Sequence, residues 1–361
     1  MNINGKIAFG PMVGLPSSDW VGKDIADYLL KNGAEVSKFS DFSTYIEADY
    51  IILVKVFPSM GWFIDKVSRG IKILYAPVDV FHSRHIFLRY RTRLKLCSGF
   101  LIHNDRVGRL LSTVSDSPQF FIEHYLKYKL PSSGTRAKNN ELLWIGHLEY
   151  VPSLIQYLMD NNLPLNIRAL TDLEKLPFYD NYLSTSLAAL GVEYEVSKNN
   201  DERNGIYISG FYFEQWSEDR QEELMQSCVA AFDTKMDSFA HKLKPPTKAQ
   251  KYIYNRIPFA CSEFSYSFEY FNKRGLKLAK LDDFDYLLSS EYKKAIGNYC
   301  ELEKWRVDIK NVANTYLLAC ENSVRPKRSF HYFEKTKSSI DLLIYLCEKT
   351  RNKLTVYFKG L

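Results

Sequence analysis

The chain has 361 residues, which is long for a single hydrophobic core and comfortable for two domains. Hydrophobic residues make up 46% of it and charged residues 25%, which are the proportions of an ordinary globular protein. The formal net charge of +6 is compatible with phosphate-bearing partners but is too small for a nucleic-acid-binding tail. No apolar run approaches the length of a membrane span.

The cysteines and the first residues bear on the cellular compartment. None of the six cysteines forms a CxxC pair, so we expect buried, reduced thiols at Cys97, Cys228, Cys261, Cys300, Cys320 and Cys347. The opening MNINGKIAFG enters an apolar run at once and lacks the basic-then-apolar layout of a signal peptide. The sequence therefore predicts a cytoplasmic protein.

The first third of the chain alternates apolar runs with helical patterns. Residues 6–9 predict a strand, and a glycine-bearing loop at 10–18 leads to a helix that Asp19 caps and Gly33 closes. The next predicted strands are AEVSKF, DYIILVKV, KILYA, GFLIH and QFFIEH. Continuous apolar strands separated by helices are typical of a parallel sheet covered on both faces.

The alternation stops at residues 131–140, PSSGTRAKNN, and then begins again, which indicates a linker. The following strands are predicted at LLWIGHLE, LNIRAL, VEYEV, IYISGF, VAAFDT and IPFA, with helices such as VPSLIQYLMDNN and EDRQEELMQS between them. We therefore predict an α/β fold of two doubly wound, Rossmann-like domains, 1–130 and 141–325. A C-terminal helical segment, 326–361, is expected to pack back on the first domain.

Two such domains that face each other place the carboxyl ends of both sheets on one cleft. Ligands of open α/β sheets bind outside those ends, so the layout predicts a site between the domains. The layout says nothing about the chemistry of that site.

The stretch HKLKPPTKAQ, residues 241–250, concentrates positive charge ahead of a predicted helix. Thr247 and Gln250 have the spacing of a capping box, so the helix is expected to begin at Thr247. Cations at a helix N-terminus cost about 0.3–1 kcal/mol each, so Lys244 and Lys248 make sense there if an anion completes the site. The alternative is a solvated basic loop ahead of an ordinary helix.

The run KPPTKAQKYIYNRIPFA resembles the nucleotide-sugar-binding segment of GT-B glycosyltransferases, particularly the branch similar to glycosyltransferase family 4. Loop 10–18, FIEHYL, LLWIGHLEYVP and SGFYFEQWSED resemble other parts of that family in the expected order. The resemblance implies transfer of a sugar from a nucleotide-sugar to a glycan, lipid-linked glycan or other acceptor on the N-terminal domain. It implies a second domain that binds the nucleotide-sugar and favours retention of the anomeric configuration.

The resemblance also assigns residues. Lys244 and Lys248 would contact the donor diphosphate with Thr247, and Arg168 would be a further phosphate contact. The segment from Gly210 to Trp216 would lie near the nucleotide base. A glutamate that holds the donor ribose in the family is replaced here by Lys251, and Glu263 is a candidate to take over that contact.

Residues of the first domain are expected to face the cleft from the other side. The loop residues Gly10, Gly14, Ser17 and Ser18 would approach the donor phosphate or the acceptor, although glycines in such a loop also serve turns. Asp79 and His82 stand at the carboxyl end of a predicted strand, where an acid/base group belongs. They are the first candidates for catalysis if the reaction inverts, and structural hydrogen bonding is the alternative.

The segment 78–95 is the most basic of the chain, and its part 84–95 interleaves arginines with aromatic residues. A helix with such a face could contact an anionic membrane surface at the inner face of a membrane, or a phosphorylated acceptor. A nucleic-acid backbone would suit it as well, and so would plain solvent. These readings leave open a glycosyltransferase of modified DNA bases, or a nucleic-acid binder, as an alternative function.

Metal sites and cofactors complete the prediction. The histidines lack the spacing of a helical metal site, and no DxD pair follows a strand of the first domain. We therefore expect no metal, no cofactor and a diphosphate held by cationic side chains. A nucleotide-sugar epimerase of the same fold is the remaining alternative.

Overall fold

The computed structural model of the protein describes residues 4–131, 139–198 and 205–326. By packing, the chain divides into two units, of which unit 1 contains the described residues of Met1–Tyr125, Lys242–Pro245 and Trp305–Leu361. Unit 2 contains those of Leu126–His241 and Pro246–Lys304. Each unit is built on one sheet with helices between its strands, as predicted. Residues 132–138 of the predicted linker and the C-terminal segment from 327 lie outside the described residues.

The sheet of unit 1 has six parallel strands. They are β1 (Ile7–Gly10), β2 (Val36–Lys38), β3 (Tyr50–Val54), β4 (Lys72–Ala76), β5 (Gly99–Ile102) and β6 (Gln119–Phe121). Their order across the sheet is β2-β1-β3-β4-β5-β6, so the chain reverses its direction of travel between β1 and β3. In open α/β sheets such a switch point is where ligands bind, outside the carboxyl ends of the strands.

Five helices follow these strands in chain order: α1 (Pro16–Ser18), α2 (Asp24–Lys31), α3 (Met60–Ser68), α4 (Arg84–Leu94) and α5 (Asp105–Ser112). A π-helical turn over Asp19–Lys23 joins α1 to α2, so helical backbone begins at Pro16 and the prediction that Asp19 caps this helix is wrong. Pro16 can open the helix because the first position needs no N–H donor. The predicted end is confirmed, since Gly33 follows α2 with φ of +86°.

The sheet of unit 2 has seven strands: β7 (Glu141–Ile145), β8 (Asn166–Thr171), β9 (Val196–Lys198), β10 (Gly205–Ile208), β11 (Phe211–Gln215), β12 (Ala230–Asp233) and β13 (Phe259–Cys261). Their order is β13-β12-β7-β8-β11-β10-β9, and the first five of these are parallel. The switch point of this sheet lies between β7 and β12.

Two strand predictions at the antiparallel edge of this sheet are wrong. IYISGF is not one strand, because Ser209 and Gly210, with φ of +50° and +83°, turn the chain between β10 and β11. VEYEV is mostly outside the sheet, since β9 begins only at Val196. A Ser-Gly pair flanked by apolar residues is a hairpin signal that the continuous apolar pattern concealed.

The next helices in chain order are α6 (Val151–Asp160), α7 (Leu176–Ala188), α8 (Glu218–Ser227), the short α9 (Phe239–Lys242), α10 (Thr247–Ile253), α11 (Tyr266–Asn272), α12 (Phe284–Leu288) and α13 (Ser290–Glu303). The predicted start of α10 at Thr247 is confirmed. The capping box is wrong, because Pro246 occupies the N-cap position and no side-chain cap bond forms there. The proline ring fixes the backbone entry instead.

The last described helix, α14 (Ile309–Asn322), completes the core of unit 1. Its apolar face packs with β1, β3 and the π-helical turn, and the hydroxyl of Tyr316 donates to the carbonyl of Val21 at 3.0 Å. Burying this face removes apolar surface from water at roughly 25 cal/mol per Å². Helix α14 therefore belongs to the stabilising core of unit 1 rather than to a solvated tail.

Five of the six cysteines can be placed. Cys97, Cys228, Cys261, Cys300 and Cys320 are buried free thiols, as predicted, whereas Cys347 lies outside the described residues. Among helices of the described ranges, none combines the length and apolar character needed to cross a bilayer.

Candidate functional site

The ammonium of Lys248 lies at the switch point of unit 2. Its Nζ atom donates to the carbonyl oxygen of Ile145, the last residue of β7, at 2.6 Å. The same atom donates to Oδ1 of Asp233, the last residue of β12, also at 2.6 Å. One lysine of the first turn of α10 thus bridges the two strands between which the chain reverses. This is the place at which an α/β sheet binds its ligand.

The carboxylate of Asp233 is shared by two lysines. Lys235 pairs with its Oδ2 at 2.7 Å, while Lys248 holds Oδ1. Burial alone would raise the pKa of Asp233, but the two ammonium groups outweigh it and lower that pKa to about 2. The three side chains together carry one net positive charge beside the carboxyl ends of the strands.

One turn further along α10, Lys251 is buried to 8% exposure. Its Nζ donates to Oε1 of Gln221 at 2.8 Å, and the same oxygen accepts from the indole Nε1 of Trp216 at 3.3 Å. Burial, and secondarily the charge of Lys248, lower the pKa of Lys251 to about 7, against a smaller opposing effect of Asp233. Trp216, at the carboxyl end of β11, is thereby connected to the helix that carries Lys248.

The other predicted donor contacts lie elsewhere in unit 2. Arg168 is the third residue of β8, not its end, and its guanidinium donates to Glu141 at 2.9 Å and to Glu214 at 3.1 Å. Gly210 precedes β11 and so lies at the amino edge of that strand, opposite Trp216. Glu263 follows β13, is largely exposed and pairs with Lys280 at 2.9 Å. The structure therefore brings Thr247, Lys248 and Trp216 to one region, whereas Arg168 and Gly210 lie away from the carboxyl ends of their strands. Glu263 lies beyond β13, the neighbour of β12, and its carboxylate is engaged by Lys280.

Unit 1 has a polar cluster at its own switch point. Lys55 follows β3, and its Nζ donates to the hydroxyl of Ser17, in the segment that follows β1, at 3.2 Å. The backbone of Lys55 has φ of +63°, which is unusual for a residue with a side chain. Neighbours on β4 hold it there, since its N–H donates to Ala76 and its carbonyl accepts from Tyr75. Such strain concentrates at functional sites.

Asp79 follows β4, the neighbour of β3, and it also has a positive φ, +52°. Its Oδ1 lies 3.4 Å from Nζ of Lys244 and has no hydrogen-bond partner among the described residues. Lys244 is held beside it by Asn104, whose amide donates to the carbonyls of Lys242 and Lys244 at 3.2 and 2.9 Å. The structure thus brings together Ser17, Asp79 and Lys244 of the predicted residues.

His103 adds a buried imidazole at the carboxyl end of β5. Its Nδ1 lies 2.7 Å from the carbonyl of Ile122, which can only accept, so Nδ1 carries the proton. Its Nε2 is buried and has no hydrogen-bond partner in the described part of the chain. Burial lowers the pKa of His103 to about 4, against the raising effects of Ile122 and Asp79. His82, the other predicted acid/base residue, is exposed.

The remaining loop residues have mainly structural surroundings. A side chain at Gly10 would overlap the carbonyl oxygen and ring of Phe39, so only glycine fits the end of β1. Gly14 has φ of +65° and open space around its Cα, as a turn glycine does. Ser18 is fully buried, and its hydroxyl has no hydrogen-bond partner within the described residues.

Four residues of these clusters were not identified from the sequence: Lys55, His103, Asp233 and Lys235. Lys55, Asp233 and His103 each stand at the end of an apolar run that becomes a parallel strand. Because ligands bind at that edge, a polar residue directly after such a run was the signal available. Within the described residues, no group of three histidines, cysteines or carboxylates is arranged to hold a metal ion.

No protein-family model matches the sequence, and no curated protein sequence matches it. Solved structures do share its fold. AviGT4, a glycosyltransferase involved in avilamycin A biosynthesis, aligns with a TM-score of 0.55 at 11% identity, over 89% of this chain and 98% of that one. Anabaena Alr3699/HepE in complex with UDP and glucose gives 0.55 at 14% identity, over 88% and 100%.

A glycosyltransferase from Rickettsia africae ESF-5 also aligns with a TM-score of 0.55, at 10% identity, over 87% of this chain and 97% of that chain. The alignments cover nearly the whole of each chain, so the likeness extends over both sheets and is not confined to one Rossmann-like unit. At these identities the comparison concerns the fold, and the fold of this chain is that of the GT-B glycosyltransferases.

Proposed function

We propose that the protein is a glycosyltransferase that takes its sugar from a nucleotide-sugar bound to unit 2. The observation that carries the proposal is the position of Lys248, whose ammonium bridges the ends of β7 and β12 at the switch point. A lysine at this place puts positive charge where a donor diphosphate would lie. The neighbour solved with UDP and glucose makes UDP the first nucleotide to try.

In the proposed reaction the bond between the anomeric carbon and the diphosphate oxygen breaks, and its electron pair stays on the diphosphate. An acceptor hydroxyl oxygen forms the new bond to the anomeric carbon. Lys248, with Lys244 as the second predicted contact, would stabilise the charge that accumulates on the leaving diphosphate. Because ammonium groups supply this charge, we propose that the reaction does not require a metal, which added chelator would test.

The proton of the acceptor hydroxyl defines the role of unit 1. The sequence resemblance to glycosyltransferase family 4 favours retention, in which the departing diphosphate takes that proton. If the configuration inverts, Asp79 is the group that would receive it, because its buried Oδ1 lies at the carboxyl end of β4 beside Lys244. The configuration of the anomeric carbon in the product, read by NMR, separates the two cases.

We propose a glycan or lipid-linked glycan as the acceptor. Helix α4 supports contact with an anionic membrane surface, since Leu88 is 47% exposed among the arginines of 84–95. Flotation with vesicles that contain anionic lipid, compared with neutral vesicles, tests this contact. Retention on DNA at low salt, lost steeply as salt rises, would instead favour the nucleic-acid alternative.

The donor assignment is tested by titrating UDP into the full-length protein and into Lys248→Gln. Charge-assisted hydrogen bonds contribute about 1.5–3 kcal/mol, so the variant should bind UDP at least about tenfold more weakly. Asp233 keeps its partner Lys235 in this variant, so the fold should persist, which circular dichroism would verify.

Lys273→Gln is the matched control, because this exposed lysine directly after α11 pairs with Glu269 one turn earlier in the chain. It should bind UDP as the wild type does. Equal affinity of Lys248→Gln and wild type for UDP, with both folded, would overturn the donor assignment. Release of UDP from a nucleotide-sugar without any acceptor would point to the epimerase alternative.

A further inference from the structure

Within the described residues, the ammonium of Lys55 has no carboxylate within salt-bridge distance. The only hydrogen bond that this ammonium makes there goes to the neutral hydroxyl of Ser17. Asp79 is close enough to act on its charge, but Asp79 forms its ion pair with Lys244. The cluster therefore contains two ammonium groups, those of Lys55 and Lys244, and one carboxylate, that of Asp79. The charge of Lys55 is the excess positive charge of this cluster.

Keeping this charge in place has a cost in the folded protein. Burial is the main cause of the lowered pKa of Lys55, since a desolvated ammonium is less stable than a hydrated one. The positive φ of its backbone adds strain, because a side chain crowds the backbone in the left-handed region. Asp79 offsets only part of this cost, because burial and the charge of Lys244 act against it. A strained and desolvated cation of this kind indicates a ligand that completes the compensation.

The position of the pair identifies the ligand as an anion of the substrate. Ser17 belongs to the segment after β1 and Lys55 follows β3, so the pair lies at the switch point of unit 1, as Lys248 does in unit 2. An ammonium and a hydroxyl suit a phosphoryl group, whose oxygens accept from several directions, whereas planar carboxylates favour the fork of arginine.

We propose that Lys55 and Ser17 bind a phosphoryl group of the acceptor, which makes the acceptor a phosphorylated glycan or a sugar attached to a lipid phosphate. This inference rests on the proposed function, because it assigns unit 1 to the acceptor. A phosphoryl group could also come from the donor diphosphate, and the experiment below distinguishes these two sources.

The test titrates glucose 6-phosphate, and glucose as its uncharged counterpart, into the full-length protein saturated with UDP. Glucose 6-phosphate should bind and glucose should bind far more weakly. Lys55→Gln should weaken the binding of the phosphosugar about tenfold or more, since it removes the charge but keeps a donor for Ser17. Ser17→Ala should weaken it by a smaller factor. Lys31→Gln, at the exposed end of α2, should leave it unchanged.

Three results would overturn the inference. The first is that glucose 6-phosphate does not bind, and the second is that Lys55→Gln binds it as the wild type does. The third is that saturation with UDP abolishes a binding that is seen without UDP. In the last case the site belongs to the donor, and Lys55→Gln would weaken UDP instead. The donor assignment is judged separately by Lys248→Gln, so either proposal can fail while the other stands. A cooperative thermal unfolding transition of Lys55→Gln and of Ser17→Ala would establish that both variants are folded.

Discussion

The partly buried ammonium of Lys248 and the buried carboxylate of Asp233 form an ion pair, with Nζ 2.6 Å from Oδ1. The pair joins the first turn of α10 to the end of β12, and the hydrogen bond of Lys248 to Ile145 extends the connection to β7. The same atoms thus fix the helix on the sheet and hold positive charge at the switch point. Lys248 therefore couples the stability of unit 2 to the donor binding that we propose, and the first two predictions concern its surroundings.

The first prediction concerns acid stability. The pKa of Asp233 is about 2 in the folded protein and about 3.8 when unperturbed, so the folded state favours the ionised form. This contributes about 2 kcal/mol to the free energy of unfolding above pH 4, and the contribution is lost as the pH falls from about 4 to 2. Asp233→Asn should be less stable than the wild type at pH 7, and its free energy of unfolding should depend less steeply on pH between about pH 4 and 2.

Urea unfolding of both proteins between pH 2 and 7, followed by circular dichroism, measures the effect. Asp160→Asn, at the exposed end of α6, is the control and should retain the dependence of the wild type. Parallel curves for Asp233→Asn and wild type would contradict the stated pairing of Asp233 with its two lysines.

The second prediction concerns Lys251, whose pKa is about 7 in the folded protein and 10.5 when unperturbed. Between these values the unfolded chain binds more protons than the folded one, so stability rises as the pH increases from about 7 to 10. Lys251→Met should remove that rise and should be more stable by about 1–3 kcal/mol at pH 7, because a buried charge is replaced by an apolar chain of similar length.

The free energies of unfolding of the wild type and of Lys251→Met, measured at pH 7 and pH 9.5, test this prediction. Gln221 keeps its bond from Trp216 in the variant, so its amide oxygen does not become an unpaired acceptor. Lys273→Met serves as a matched exposed lysine and should change neither value by more than about 0.5 kcal/mol. A wild-type stability that is constant or falls over this interval would refute the depressed pKa.

The sheets were predictable from the sequence because apolar runs specify buried parallel strands. KILYA coincides with β4, where an apolar run ends ahead of Pro77, and EDRQEELMQS coincides with α8, which the side chain of Ser217 caps. The edge of the second sheet was not predictable in this way. There the strands are half-exposed, one apolar pattern continues through both of them, and the turn at Ser209 and Gly210 decides the topology.

Residues of the candidate site could be predicted from the sequence only where they belong to a recognisable motif. Lys248 stood out through its position in a charged run ahead of a helix. Lys55 did not, because backbone strain and desolvation are properties of the folded chain. Arg168 was predicted as a phosphate contact, but its guanidinium forms salt bridges with Glu141 and Glu214. These salt bridges could not be predicted from the sequence, because both partners are distant from Arg168 along the chain.

The third prediction concerns the turn after α10, where Arg256 has φ of +58°. The N–H of Ile257 donates to the carbonyl of Tyr252, and that of Arg256 to Ile253, which is the Schellman arrangement that usually has glycine at the left-handed position. Arg256→Gly should remove strain of about 1–2 kcal/mol, partly offset by the greater entropy of glycine in the unfolded chain. The net expectation is a stabilisation of about 0.5–1 kcal/mol in urea unfolding.

Arg256→Ala separates strain from charge. It keeps the left-handed strain and removes only the exposed ion pair with Glu301, which has an N–O distance of 3.3 Å and contributes little in solvent. Its stability should therefore stay within about 0.5 kcal/mol of the wild type. If Arg256→Gly were less stable than Arg256→Ala, the side chain rather than the backbone would govern this turn. A gain confined to the glycine variant would instead establish that α10, and with it Lys248, is held in place against a strained C-terminus.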